Sequence, residues 1–360
     1  MWVRQISAPC IMLLLLFSAC SCDSESSRGA KSVPLCTTPW TGRIGSLAEW
    51  GQGKDFIYGV LSSPCVEKAL LVWSWDEGAL SETVVYQLPR SLDVVPAAPG
   101  ICGVSLGREK GQWPYAIIGC NDGQVIREWS LPKGWSTCRA GGSTNGKFLA
   151  MVAIDGVDSP DWEFMHERAR VAVIDVEKRE LTWVSDLNGH GAGTIRRVVI
   201  TDDGRHIAVA GWDNGTAMVD AKEGRVLWAR RPEHEVSTGY AAFAPDGKLI
   251  YTAGSEGCVY TIDVATGEVL GQRWATSTGK EIYAHRVSAL AVSNDGRWLA
   301  AGTGPEGEVY VWNLEDHAGP LILDHGEGTI LIVAFSPDGK RIASVGGGLL
   351  KVWSVATAKE

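Results

Sequence analysis

The chain has 360 residues, a formal net charge of −9 and mean hydropathy near zero, with 43 glycines and 16 tryptophans. It is long enough to bury a large core, and no run of Lys and Arg supplies the basic stripe that a nucleic-acid backbone or an anionic membrane surface requires. Nucleic acid is therefore excluded as a partner, and the acidic balance is read as solubility.

In chain order, residues 1–19 are expected to form a targeting segment. Arg4 is followed by an apolar run from Ile11 to Phe17 and by the small residues Ser18 and Ala19 before Cys20. That run is too short to span a bilayer permanently and has the layout of a secretory signal. The tetrapeptide Phe17-Ser18-Ala19-Cys20 resembles a bacterial lipobox, with Phe where Leu is commoner. The resemblance implies a diacylglycerol thioether on Cys20, which would become the mature N-terminus; an ordinary signal peptide cut nearby is the alternative. Ser21 in place of Asp implies the outer membrane of a two-membrane bacterium, or otherwise the cell surface. Residues 20–33 are polar, cannot bury a core and are expected to be a tether. Contact with the membrane is expected through this lipid alone.

Residues 34–360 carry a repeat. Its units have a short β-rich run, an Asp-Gly or Asn-Gly turn, a second apolar run, a Gly-containing loop and a third run. The turns are clearest at Asp203-Gly204, Asp246-Gly247, Asp295-Gly296 and Asp338-Gly339, with Asn145-Gly146 further upstream. Third runs are placed to end at Trp73, Trp129, Ile174, Val219, Ile262, Trp312 and Trp353, spaced 41 to 56 residues apart. A period in the forties predicts seven propeller blades instead of a helical solenoid.

Phe335 to Ser344 followed by Val352-Trp353 resembles a WD repeat, and Glu308 to Asn313 resembles the third strand of another. His190, His234, His285 and His325 stand 10 to 13 residues ahead of Asp203, Asp246, Asp295 and Asp338, where the Gly-His pair of WD repeats falls. The fold implied is all-β: a seven-bladed propeller of four-stranded antiparallel blades. The chain reaches only the third strand of the last blade, so the fourth is expected from residues 33–38, as WD-repeat rings close. The resemblance makes the four histidines structural, each bonded within its blade and commonly to a turn Asp, and makes Trp312 and Trp353 core residues. A second pattern, Asp220-x-x-x-Gly224-x-x-x-Trp228, resembles the repeats of quinoprotein-type propellers and marks a turn between third and fourth strands.

An insertion from Asp155 to Ala169 separates the second and third strands of the third blade and brings Asp161, Trp162, Glu163, Phe164 and His166 together on the expected top face. Exposed aromatics among charges suit a partner contact; packing onto its own blade is the alternative, and a metal held by Glu163, His166 and Glu167 is a weaker one. Cys102 and Cys120 flank a hairpin near-symmetrically, which points to a disulfide across it if they are not buried thiols. No nucleophile elbow, Walker loop, zincin pair or haem-attachment motif occurs. The function expected is a non-enzymatic envelope scaffold, monomeric by itself, without metal or cofactor, that binds another envelope protein or complex. A quinoprotein-like or lactonase-like enzyme is the alternative.

Overall fold

A computed structural model describes residues 36–39, 43–44, 49–50, 56–63, 66–76, 79–87, 93–96, 101–105, 114–119, 124–155, 169–187, 195–211, 215–230, 238–275, 286–316 and 319–355. Their regular elements are all strands, and these form seven antiparallel sheets. From the channel outward, blade 3 runs Trp135–Gly142, Phe148–Asp155, Ala169–Asp175 and Glu180–Asp186. Blade 4 runs Ile195–Ile200, His206–Gly211, Gly215–Asp220 and Arg225–Arg230, and blade 5 Thr238–Phe243, Leu249–Gly254, Cys258–Asp263 and Val269–Trp274. Blade 6 runs Arg286–Val292, Trp298–Gly304, Glu308–Asn313 and Leu321–Asp324. Blade 7 takes only Ile330–Phe335, Arg341–Gly346 and Leu349–Ser354 from the C-terminal part; its outermost strand is Cys36–Pro39. That strand pairs antiparallel with Leu349–Ser354, Cys36 opposite Val352 and Pro39 opposite Leu349. An edge that would otherwise leave backbone groups unpaired is thereby covered.

One predicted strand is corrected. Trp129 does not end a third strand: it lies in Val125–Ser130, the outermost strand of blade 2, whose third strand is Pro114–Gly119. Burial gives the reason. Pro114 to Ile118 are buried without a break, as a strand sandwiched between blades must be, whereas Val125–Ser130 alternates exposed and half-buried positions. An outer strand has one wet side and reads as alternation.

The core consists of separate inter-blade layers. On Phe148–Asp155 the period of two sends Leu149, Met151 and Ala153 against Tyr115 and Ile117 of blade 2, while Ala150, Val152 and Ile154 face Val198, Ile207 and Val209 of blade 4. The same division recurs between later blades. Blades 3 to 6 are therefore buried on both faces.

The turns joining first to second strands share one design. Thr201 Oγ1 donates to Asp203 Oδ1 at 2.6 Å and accepts from the His206 amide at 3.0 Å, while the Arg205 amide donates to Asp203 Oδ1 at 2.9 Å. Ser293 with Asp295 and Ser336 with Asp338 repeat it, each serine donating at 2.5 Å. Asp246 keeps the bond from the Lys248 amide at 3.0 Å. Gly204, Gly247, Gly296 and Gly339 follow at φ of 68° to 72°, a conformation that costs other residues energy. Neighbouring turns are stitched as well: Asp202 accepts from Thr144 Oγ1 at 2.7 Å and from the Asn145 amide at 2.8 Å.

The Asp220–Trp228 pattern builds a second inter-blade joint. Asp220 Oδ1 caps the Lys222 and Glu223 amides at 2.9 Å, and the indole of Trp228 reaches blade 5, where its Nε1–H donates to Val264 O at 2.8 Å. The ring lies over Gly267, and a β-carbon there would come within 2.9 Å of it. Trp228→Phe is therefore expected to cost about 1 kcal/mol through the lost hydrogen bond. Gly267→Ala, at φ +73° and against the ring, should cost more, on the order of 1–3 kcal/mol. Denaturant unfolding of the two variants checks this, and a neutral Gly267→Ala would remove the docking account.

Candidate functional site

First strands enter from the top face, and the connections from second to third strands and from one blade to the next lie there. In blades 3 to 7 the first strand is bulged at the same place: between Thr137 and Arg139, Ile195 and Arg197, Thr238 and Tyr240, Val287 and Ala289, and Ile330 and Ile332. The bulge bends each strand near the channel mouth and changes which side chains are aimed there. Arg139, Arg196 and Arg286 are exposed near these positions.

Three blades meet at one pocket of about 160 Å3 on this rim. Blade 4 contributes Arg196, blade 5 contributes Gly239, Tyr240, Gly254 and Ser255, and blade 6 contributes Arg286 and Val287. Such a volume is smaller than the roughly 300–1,000 Å3 of pockets for cofactors and drug-sized ligands, so it fits a single side chain or small anion. Neither arginine belongs to a sequence motif. Arg196 is the bulged residue of its strand and Arg286 opens the first strand of blade 6 opposite Gly304; both placements are properties of strand pairing, and sequence reading missed them for that reason.

Beside the pocket, Glu256 in the connection from second to third strand of blade 5 and Cys258 at the start of that third strand are buried. Tyr260 donates its hydroxyl to Glu256 Oε2 at 2.5 Å. Burial, with the Glu256 charge nearby, pushes the Cys258 thiol up to about 12. A thiol so held is protonated at neutral pH and is a poor nucleophile.

His325 is the described member of the histidine series, and its imidazole is 2% exposed. Gly346 O lies 3.0 Å from Nε2 and can only accept, so Nε2 carries the proton. Nδ1 then accepts from Ser344 Oγ at 2.7 Å, and Ser344 Oγ accepts from Trp353 Nε1 at 2.8 Å. The turn-Asp partner expected for this histidine is not found. Asp338 is engaged by Ser336 and the Lys340 amide at the opposite end of Arg341–Gly346, roughly 17–20 Å away at strand rise. The Gly347-Gly348 turn at the near end has no side chain to offer, so a backbone carbonyl takes the role. Trp312 is buried in blade 6, stacked with Tyr310 at 6.0 Å. By register, Ala301 stands there where blade 7 has Ser344.

Cys20, Asp161, Trp162, Glu163, Phe164, His166, His190, His234, His285 and Cys120 lie outside the described residues. The expected second-to-third placement of the insertion holds: Phe148–Asp155 is followed by Ala169–Asp175 in the same sheet. The disulfide reading of Cys102 with Cys120 falls on Cys120, outside the described residues. Cys102 sits in the second strand of blade 2, with Ile118 of the third strand opposite it, two residues before Cys120.

Burial disfavours charge on His325 and lowers its pKa from the ordinary 6.5, with Lys351 adding to the effect and the Gly346 carbonyl opposing it. The unfolded chain therefore takes up a proton first as pH falls. Stability contributed by the neutral network is present above pH 6.5 and is lost as pH drops below it toward the folded-state value. Ser344→Ala should remove about 1–3 kcal/mol at neutral pH. His325→Leu should flatten the acid slope; urea unfolding across pH tests both, and an unchanged slope would show that His325 does not set it.

Residues 133–315 match a family model described as PQQ_2, outer membrane protein assembly factor BamB. Residues 321–354, which hold the His325–Ser344–Trp353 network, match the WD domain, G-beta repeat. The WD repeat-containing protein SL1-17 of Schistosoma mansoni is 32% identical over 165 residues, 46% of this chain and 51% of that one. An uncharacterized WD repeat-containing protein of Synechocystis is 31% identical over 115 residues, 31% of this chain and 30% of that one. The chain thus spans about half the length, or less, of these curated relatives. Among solved structures, a chain from a crystal structure titled Mitotic Checkpoint Complex superposes with TM-score 0.67 at 18% identity, covering 94% of this chain and 99% of that one. The β-propeller domain of Myceliophteria thermophila Cps50 (Swd1) gives 0.63 at 13% identity, covering 88% and 97%. At those identities the likeness speaks for the fold alone. The chain is a seven-bladed WD-repeat β-propeller and, by residues 133–315, it belongs to the family described as outer membrane protein assembly factor BamB.

Proposed function

We propose that this propeller is an envelope-anchored, non-enzymatic scaffold that presents its top face to another envelope protein or complex. The observation that carries the reading is the channel mouth: a rigid ring holding exposed arginines around a pocket sized for a single side chain. Membership in a family described by an outer-membrane assembly factor supports an envelope setting, and the lipobox-like Cys20 supplies the anchor. Propellers of the WD-repeat kind serve generally as protein-binding platforms, and the sequence between the second and third strands of blade 3 contains Trp162 and Phe164. The Asp220–Trp228 pattern that evokes quinoproteins is used here to dock one blade on the next, a role that needs no cofactor. Retention of a chromophore or metal through purification would favour the enzymatic alternative instead.

Crosslinking capture from envelopes tests the proposal, with the tagged full chain compared against a chain lacking residues 158–168. Capture of a defined protein by the first and its loss from the second is expected; capture by neither would overturn the scaffold reading. In the same cells Cys20→Ser should move the protein out of the membrane fraction. A variant that stays with the membrane would remove the lipid anchor from the proposal.

A further inference from the structure

We infer that the pocket at the junction of blades 4, 5 and 6 receives a carboxylate side chain from an acidic segment of the protein partner. The inference rests on the scaffold reading and gives its partner a chemistry. Arg196 and Arg286 come from first strands of two blades and line one pocket, with blade 5 between them. Both are exposed. Gly239 and Gly254 leave the blade 5 wall without side chains, which lets an incoming group approach the backbone, and Ser255 lines the same wall. The half-buried Tyr240 supplies ring surface to pack a methylene stem beneath a carboxylate head, with Val287 buried behind it. Glu256 follows Ser255 in the chain but does not line the pocket; it is buried, with Tyr260 on its Oε2.

Charge decides the class of partner. A guanidinium fork matches a planar carboxylate and gains directional, charge-assisted bonds that a neutral amide would not provide. A nucleic acid or an anionic lipid surface would need a continuous basic track, and a chain of net charge −9 repels an extended polyanion. A local pair of arginines on an acidic protein favours a short acidic peptide, whose charge is concentrated where the pair can meet it.

The test uses the full chain and a fluorescein-labelled Gly/Ser peptide carrying four Glu residues, read by fluorescence anisotropy at low and physiological salt. The same peptide with Gln, inorganic phosphate, and phosphatidylglycerol vesicles form the other arms. Binding of the Glu peptide is expected, with about tenfold weakening in Arg286→Ala and in Arg196→Ala, partial retention in Arg286→Lys, and none for the Gln peptide. Circular dichroism confirms folding of each variant, and Arg286→Lys keeps the test decisive if Arg196→Ala is destabilised. Equal binding of Glu and Gln peptides, equal binding by wild type and Arg286→Ala, or preference for phosphate or vesicles would overturn the inference. Arg286→Glu in the envelope capture separates the two ideas. A partner captured equally by wild type and Arg286→Glu leaves the scaffold standing and removes the pocket. A partner lost with Arg286→Glu, and lost again when its own acidic segment is changed to Asn and Gln, supports both. If wild type captures nothing the scaffold reading falls, and the peptide arm alone decides whether the pocket takes a carboxylate.

Discussion

A sheet whose two faces are both apolar needs a neighbour on each side, and a finite row of such sheets can satisfy that need at every position only by closing on itself. The alternation on Phe148–Asp155, with Leu149 and Met151 toward one neighbour and Val152 and Ile154 toward the other, is that constraint written in one strand. Closure is achieved by hydrogen bonds across the seam, where Cys36–Pro39 completes the sheet of Leu349–Ser354. The packing between blades and the seam depend on one another. An unpaired seam would let the ring open and wet the layers beside it.

On this frame the blades differ in how they are locked. Blade 7 uses the buried chain Trp353, Ser344, His325 and Gly346 O, in which each donor meets one acceptor and the imidazole stays neutral. Blade 4 instead extends Trp228 across to Gly267 of blade 5. Blade 6 has Ala301 where the serine would stand, so Trp312 is held by stacking on Tyr310. The two family matches fall accordingly: the WD match covers blade 7, and the other covers the region of Trp228. Two locking solutions coexist because both meet the same requirement, a satisfied polar group at the end of a buried strand.

The rim of the channel follows from the same geometry. A bulge at one place in five first strands bends each near the top, and the residues beside it differ from blade to blade. Where the bulged residues Arg196 and Gly239 meet Arg286 at the start of the blade 6 strand, the result is an open, positively lined pocket. At the corresponding position in blade 7, Leu331 leaves an exposed apolar side chain instead. A repeated scaffold thus carries a non-repeated surface, which is what discrimination among partners requires.

The repeat, the Asp-Gly turns and the final strand contributed from the N-terminal side were legible in the residues, because local turn chemistry and period-two burial act within a few positions of the chain. Trp129 misled because a tryptophan near a strand end looks alike in a third strand and an outer one; only the neighbour it faces distinguishes them. The partner of His325 was hidden because Ser344 and Gly346 lie about twenty residues away in sequence and reach it through strand pairing. The pairing that sets Ile118 opposite Cys102 was equally a matter of register. Arg196 and Arg286 are ninety residues apart, and nothing in either neighbourhood marks them. Composition and period determined that this chain would be a propeller. Which side chains meet at its mouth was decided only when the ring closed, because contacts between blades depend on the register and bulges of strands distant in sequence.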